Sequence, residues 1–152
     1  MAVLTSEIIK LAERKDTLKA IATTNHDGVP HITYKDSLHI KDGYIVFYDL
    51  IQSSQTNKNL VDAIWYEKSV AVSLLGVNEE SYQIIGKPVK CVTAGAEFEK
   101  LYRELREDGE ADLNAIWYIR PEKSRDNSYF TRVEYERKNH PLIRRLDMIQ
   151  KQ

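Results

Sequence analysis

The sequence predicts a mainly β domain, an antiparallel barrel of six strands, closed or nearly closed, with small helices outside it. Three observations carry this. Extended runs at 17–25, 29–40 and 44–50 meet at Asp27-Gly28 and Asp42-Gly43, dipeptides suited to tight hairpin turns whose two central residues both need positive φ. Residues 69–75, Ser-Val-Ala-Val-Ser-Leu-Leu, are apolar on both faces, as in a strand enclosed by other structure. The long run 81–93 carries Gly86-Lys87-Pro88. Proline removes a ladder donor there and glycine suits a bulge, a bend that helps a sheet curl until it has no free edge.

The remaining elements follow from capping and periodicity. Thr5 or Ser6 can cap a first helix bearing Ile8, Ile9, Leu11 and Ala12 and ending near Lys15-Asp16. Thr56 opens a second helix, to about Glu67, with Leu60, Val61, Ile64 and Trp65 on one face. Residues 97–107 repeat Phe98, Leu101, Tyr102 and Leu105 at helical spacing, with Glu99–Arg103, Lys100–Glu104 and Arg103–Glu107 placed for ion pairs on a solvated face. Gly109 closes that helix, and 114–121 form the sixth strand, with Ile116/Tyr118 on one side and Trp117/Ile119 on the other. Beyond Pro121 the pattern predicts a short edge strand at 128–135 and a terminal helix at 141–150. No linker or repeat divides the chain, so 1–152 reads as one domain.

Composition narrows the function classes. The 152 residues hold 42% hydrophobic and 30% charged side chains, and 22 basic against 23 acidic groups leave a net charge of −1. Such a chain buries a core without disulfides or metal, and it has no overall field to draw nucleic acid or anionic lipid. The basic residues concentrated at 132–151 fit a helix face or a subunit contact better than DNA. Cys91 is the only cysteine, expected in the core or in a strand, which points to a reducing cytoplasm. No apolar stretch is long enough to span a bilayer, and no signal segment or glycosylation acceptor supports secretion.

H-E-x-x-H, G-x-S-x-G, Walker and Rossmann glycine patterns are all absent, as is a cysteine pair, so the sequence gives no catalytic residue and no metal site. His26, His31 and His39 are expected to be ordinary strand and turn residues. The informative segment is the corner Ser53-Ser54-Gln55-Thr56-Asn57-Lys58-Asn59, between a strand and a helix. Hydroxyls beside the free N–H groups of a first helical turn suit a phosphate, although either Ser54 or Thr56 can equally be a plain helix cap. Trp65, Trp117 and the tyrosines can line a flat cofactor pocket or fill the core.

These residues resemble the flavin split-barrel superfamily, the pyridoxamine-phosphate-oxidase-like fold, and most closely its small FMN-binding proteins. The resemblance runs through Ala20-Ile21-Ala22-Thr23-Thr24, Asp27-Gly28-Val29-Pro30-His31, Asp42-Gly43, Thr56-Asn57-Lys58-Asn59-Leu60, Val70-Ala71-Val72-Ser73-Leu74 and Gly95-Ala96-Glu97-Phe98-Glu99, covering about residues 4–105. It implies a six-stranded antiparallel split β-barrel (Greek-key) with small peripheral α-helices, a homodimer, and one FMN per protomer near the subunit interface. By position, Ser54, Gln55 and Thr56 would meet the phosphate, with Lys58 and Asn59 completing the corner. Asp49, Leu50 and Ile51 would offer backbone groups to the isoalloxazine edge, while Lys35, Asp36, Ser37 and Trp117 complete the pocket. Gln55 departs from the Lys or Arg that relatives often carry there, and Lys58 is the cation that can take its place. The Arg-Leu-x-Pro type ending of pyridoxamine-phosphate oxidases is missing, which argues against that reaction. The expected function is an FMN-dependent oxidoreductase or electron-transfer protein acting on a small-molecule substrate or a redox partner protein. The alternative is a split-barrel ligand-binding or interaction module that has lost flavin chemistry.

Overall fold

In a computed structural model describing residues 2–109 and 112–141, the chain forms one antiparallel sheet of seven strands with four helices. The strands are β1 (Leu18–Thr24), β2 (Pro30–Tyr34), β3 (His39–Lys41), β4 (Tyr44–Asp49), β5 (Val70–Leu75), β6 (Ser81–Val92) and β7 (Ala115–Asp126). The helices are α1 (Ser6–Glu13), α2 (Gln55–Trp65), α3 (Ala96–Glu107) and α4 (Tyr129–Asn139). The spatial order β2-β1-β5-β6-β7-β4-β3 puts β2 and β3 at opposite edges although they are neighbours in sequence.

That placement accounts for the seventh strand. The run expected as one strand over 29–40 breaks at Lys35–Leu38, where the chain leaves one sheet edge for the other. Lys35 N–H donates to Lys19 O at 2.9 Å and Leu38 N–H to Lys35 O at 3.0 Å, which turns the backbone. Lys19 Nζ donates to Leu38 O at 2.8 Å and holds the far side of the crossing. Burial pushes the Lys19 ammonium below its ordinary pKa, opposed by the nearby Asp36 charge.

One face of the sheet curls around a single core. Ile21, Val72, Leu74, Ile84, Trp117, Ile119, Ile45 and Phe47 meet there with Ile8 and Leu11 of α1 and Leu60 and Ala63 of α2. On the other face, Val46, Ile116 and Tyr118 lie under Phe98, Leu101, Tyr102 and Leu105 of α3. The bend in β6 is present, with register shifts at Ile85/Gly86 and Pro88/Lys90. A Cβ on Gly86 would lie 2.5 Å from the Arg120 carbonyl oxygen, so the close approach of β7 requires glycine.

Asp42 and Gly43 both have positive φ, as the two-residue turn demands. Asp27 does not. The Asn25–Val29 turn is instead built on Asn25, whose side-chain oxygen accepts the N–H groups of Asp27 and Val29, each at 2.9 Å.

Other expectations need correction. Residues 128–135 are helical rather than an edge strand: α4 begins there, its bulky Tyr129 and Phe130 exposed, and β7 runs on to Asp126 instead. Cys91 lies in a strand, β6, as one of its two expected settings, and it is exposed rather than in the core. None of the three expected ion pairs on α3 forms; Glu97 instead approaches Lys41 at 3.5 Å. The terminal helix expected at 141–150 lies outside the described residues beyond Pro141. Among the described residues, no helix is long and apolar enough to cross a membrane, and no group of His, Cys, Asp or Glu could hold a metal ion.

Candidate functional site

The crossing from β2 to β3 and the end of β4 enclose a cavity of about 530 Å³, lined by Tyr34, Lys35, Asp36, Ser37, Tyr48, Asp49, Leu50, Ile51, Ser54 and Leu105. Seven of these are residues singled out from the sequence: Lys35, Asp36, Ser37, Asp49, Leu50, Ile51 and Ser54. Ser37 fixes the shape of the crossing, because its Oγ accepts the Tyr48 N–H at 2.9 Å beyond the end of the β3–β4 ladder. The volume lies in the range of small-molecule sites, and the mixture of aromatic, aliphatic and few charged groups is typical of them.

The floor of the cavity is a buried ion cluster. Asp49 is 1% exposed. Its Oδ1 accepts the Ile51 N–H at 3.2 Å and lies 4.0 Å from Lys35 Nζ. Its Oδ2 accepts the Ser54 hydroxyl at 2.7 Å. Lys35 also sits 5.7 Å from the centre of the Phe47 ring, so its ammonium is held between a carboxylate and a π face. Burial raises the pKa of the Tyr48 phenol.

The corner expected to bind phosphate is otherwise engaged. Ser54, not Thr56, caps α2: Ser54 has extended backbone angles and its Oγ accepts the Asn57 N–H at 3.0 Å. The helix therefore begins at Gln55, which puts Thr56 inside the first turn with its side chain buried. Gln55 Nε2 donates to Asn59 Oδ1 at 2.8 Å, and Asn59 Nδ2 donates to Thr23 Oγ1 at 2.9 Å. This chain of amides ties α2 to β1. Lys58 is exposed and does not line the cavity. Trp117 is wholly buried in the core, where its Nε1 donates to Asn57 Oδ1 at 3.0 Å and anchors the first turn of α2 from below. Gln55, Thr56, Lys58, Asn59 and Trp117 are therefore not brought to the cavity.

The apolar face of α2 also differs from expectation. Leu60 is buried with Thr56, Asn59 and Ala63, whereas Val61, Ile64 and Trp65 are exposed. Leu105 escapes the sequence reading, which also does not distinguish Tyr34 and Tyr48 from the other tyrosines. Tyr34 and Tyr48 carry only the ordinary alternation of strand residues, and Leu105 arrives from a helix 54 positions after Ile51 by the packing of α3 across β4.

Neither family models nor curated protein sequences match this chain. Solved structures do. HupZ of Group A Streptococcus superposes with a TM-score of 0.67 at 20% identity, over 82% of this chain and 94% of its own. A protein of the pyridoxinephosphate oxidase family from Clostridium acetobutylicum, related to general stress protein 26, gives 0.60 at 14% identity over 81% and 87%.

The chain shares the split-barrel fold of these solved structures. An FMN-binding protein from Syntrophomonas wolfei shares this split barrel, with a TM-score of 0.57 at 15% identity over 80% of this chain and 87% of that one. Tested against FMN, the split-barrel cavity fits one half of the cofactor. The room between Tyr34, Tyr48 and Leu105 and the backbone of Asp49–Ile51 suit a flat ring system with polar edges. The phosphate end does not fit: the cap hydroxyl and the cavity's one lysine already serve the Asp49 carboxylate. Among the described residues, no buried side-chain polar atom lacks a partner.

Proposed function

We propose that this split barrel binds a flavin in the cavity beneath Tyr34 and Tyr48 and works as an oxidoreductase or electron-transfer protein. One observation carries the reading. Seven residues chosen from the sequence, from three separate segments, line the same 530 Å³ cavity. FMN is the form that the resemblance implies and that the Syntrophomonas wolfei protein favours by its name. Flavins supply the redox chemistry themselves, so the protein's part is to bind, orient and shield the ring. Asp49–Ile51 would present backbone groups to the ring edge, with Tyr34 and Tyr48 closing its sides and Leu105 keeping water out.

We also propose a homodimer in the cytoplasm. Ile32 and Tyr34, each 66% exposed, stand beside Ala22 and Ala20 on the outer face of β2 and β1, and Leu18 pairs with Leu75 on that face. An apolar patch of this kind suits a subunit contact. Tyr34 belongs both to this face and to the cavity, so a second copy would lie against the bound ring. Trp117 and Tyr118 are buried within the protomer.

The visible spectrum of freshly purified protein, followed by titration with FMN and riboflavin, tests the flavin reading. A yellow protein, or saturable uptake of either flavin, is expected. A colourless protein that takes up neither would overturn it in favour of a flavin-free ligand-binding or interaction module. Anaerobic mixing of the loaded protein with NADH, NADPH or a low-potential donor then separates roles: fast, saturable bleaching by a nicotinamide marks a reductase, and bleaching by a redox partner alone marks a carrier.

A further inference from the structure

We infer that Asp49 makes the cavity select against a ligand phosphate, so that the preferred flavin is riboflavin-like, with an uncharged side chain, rather than FMN-like. The inference rests on the flavin reading and departs from the FMN expectation. A phosphate site needs hydroxyl donors, free N–H groups and a cation without a partner. This cavity has one hydroxyl at the start of α2, and Ser54 Oγ donates it to Asp49 Oδ2 at 2.7 Å while accepting the Asn57 N–H at 3.0 Å. Lys35, its one cation, lies 4.0 Å from Asp49 Oδ1. The hydroxyl and the ammonium that could receive a phosphate are therefore already engaged by the protein's own carboxylate.

Asp36, which is exposed, adds a second negative charge to the lining. A dianionic phosphate entering this space would break the Ser54–Asp49 bond or sit beside buried like charge, where the low dielectric magnifies repulsion. A ribityl chain ending in a hydroxyl meets no such opposition, and its hydroxyls can donate to Asp49 or Asp36. The ring makes the same contacts in either ligand, so the discrimination falls on the side chain's end.

The test compares riboflavin with FMN on the full chain by fluorescence titration, for the wild type and for Asp49→Asn. Asparagine keeps the shape and removes the charge, and its amide can donate to Ser54 Oγ, which frees the serine hydroxyl hydrogen. The wild type is expected to bind riboflavin at least as tightly as FMN. In Asp49→Asn, FMN should gain about tenfold or more while riboflavin moves less than about threefold, the size expected when a charged contact changes sign. Wild-type protein that prefers FMN tenfold or more would overturn the inference, as would a folded Asp49→Asn protein in which both ligands change alike. Failure of both ligands to bind either protein would overturn the flavin reading and this inference with it. If Asp49→Asn does not fold, the wild-type comparison alone decides.

Discussion

The Ser54 hydroxyl donates to the buried Asp49 carboxylate at 2.7 Å and accepts the Asn57 N–H at 3.0 Å, so a single oxygen starts α2 and hydrogen-bonds the carboxylate beneath it. Ser54→Ala removes both roles. Loss of a cap costs about 1 kcal/mol, and a buried acceptor left short of a donor costs about 1–3 kcal/mol. The expected loss is roughly 2–3 kcal/mol, read as a lower denaturant midpoint at neutral pH. Ser54→Thr should keep most of the stability, because threonine both caps and donates. Equal losses in the two variants would show that the hydroxyl is not the group that matters.

Gly86 should be intolerant for a reason different from that at Gly43. A Cβ at Gly86 would press on the Arg120 carbonyl oxygen at 2.5 Å and on Ile119 Cγ2 at 2.9 Å, both in the paired strand. Gly43 has open space around it but a φ of +80°. Gly86→Ala should therefore lower stability by about 1–3 kcal/mol through overpacking. Gly43→Ala should cost about 1–2 kcal/mol through backbone conformation alone. Asparagine, which tolerates positive φ, should recover much of the loss at 43 and none at 86. Thermal melts of the four variants give the comparison, and recovery by asparagine at 86 would sink the steric account.

The segments Lys35–Ser37 and Asp49–Ile51 enter the sequence reading through the family resemblance alone: alternation runs 29–40 together as one strand and hides the break after Tyr34, which depends on the chain crossing to the other sheet edge. Which hydroxyl caps α2 stays open in the sequence, because capping depends on which residue has extended backbone angles. Ser54 and Thr56 are chemically alike, and only the folded chain distinguishes them. The settings of Trp65 and Trp117 stay open in the sequence for a similar reason. Helical spacing put Trp65 on an apolar face, yet the sheet reaches only as far as Leu60 and Ala63 and leaves Trp65 79% exposed. Asn57 gives Trp117 a partner for its indole N–H, which lets the whole ring enter the core. α4 was taken for a strand because aromatic and β-branched residues at 129–133 favour strands, and no burial contradicts them within the sequence itself.

The homodimer proposal makes Ile32 decisive. Its side chain is two-thirds exposed, stands opposite Ala22 in the β1–β2 ladder, and does not line the cavity. Ile32→Glu puts a charge in the middle of the proposed contact without touching the barrel interior. The wild type should scatter light as a dimer at micromolar concentration and the variant as a monomer of 17.6 kDa, with unchanged circular dichroism. A wild-type protein that is already monomeric, or a variant that stays dimeric, would move the contact elsewhere or remove it.

Tyr118 and Glu97 should shape the pH dependence of stability. The Tyr118 hydroxyl donates to Glu97 Oε1, and Lys41 Nζ lies 3.5 Å from the same oxygen, tying the first turn of α3 to β7 and β3. Hydrogen bonding from Tyr118, aided by the Lys41 charge, holds the Glu97 carboxyl below its ordinary range. Burial, and then the bond to Glu97, lifts the Tyr118 phenol above its own. A depressed carboxyl contributes stability above its unfolded value, about 4.3, and loses it as the pH falls through the lower folded value. A raised phenol contributes stability below its unfolded value, about 10, and loses it as the pH rises through the higher folded value. The stability difference between the wild type and Tyr118→Phe should therefore be greatest between about pH 4.3 and 10 and shrink on both sides. Urea unfolding across that range measures it. A difference that stayed constant from acid to alkali would mean that the hydroxyl contributes only packing and that α3 is held by its apolar face alone.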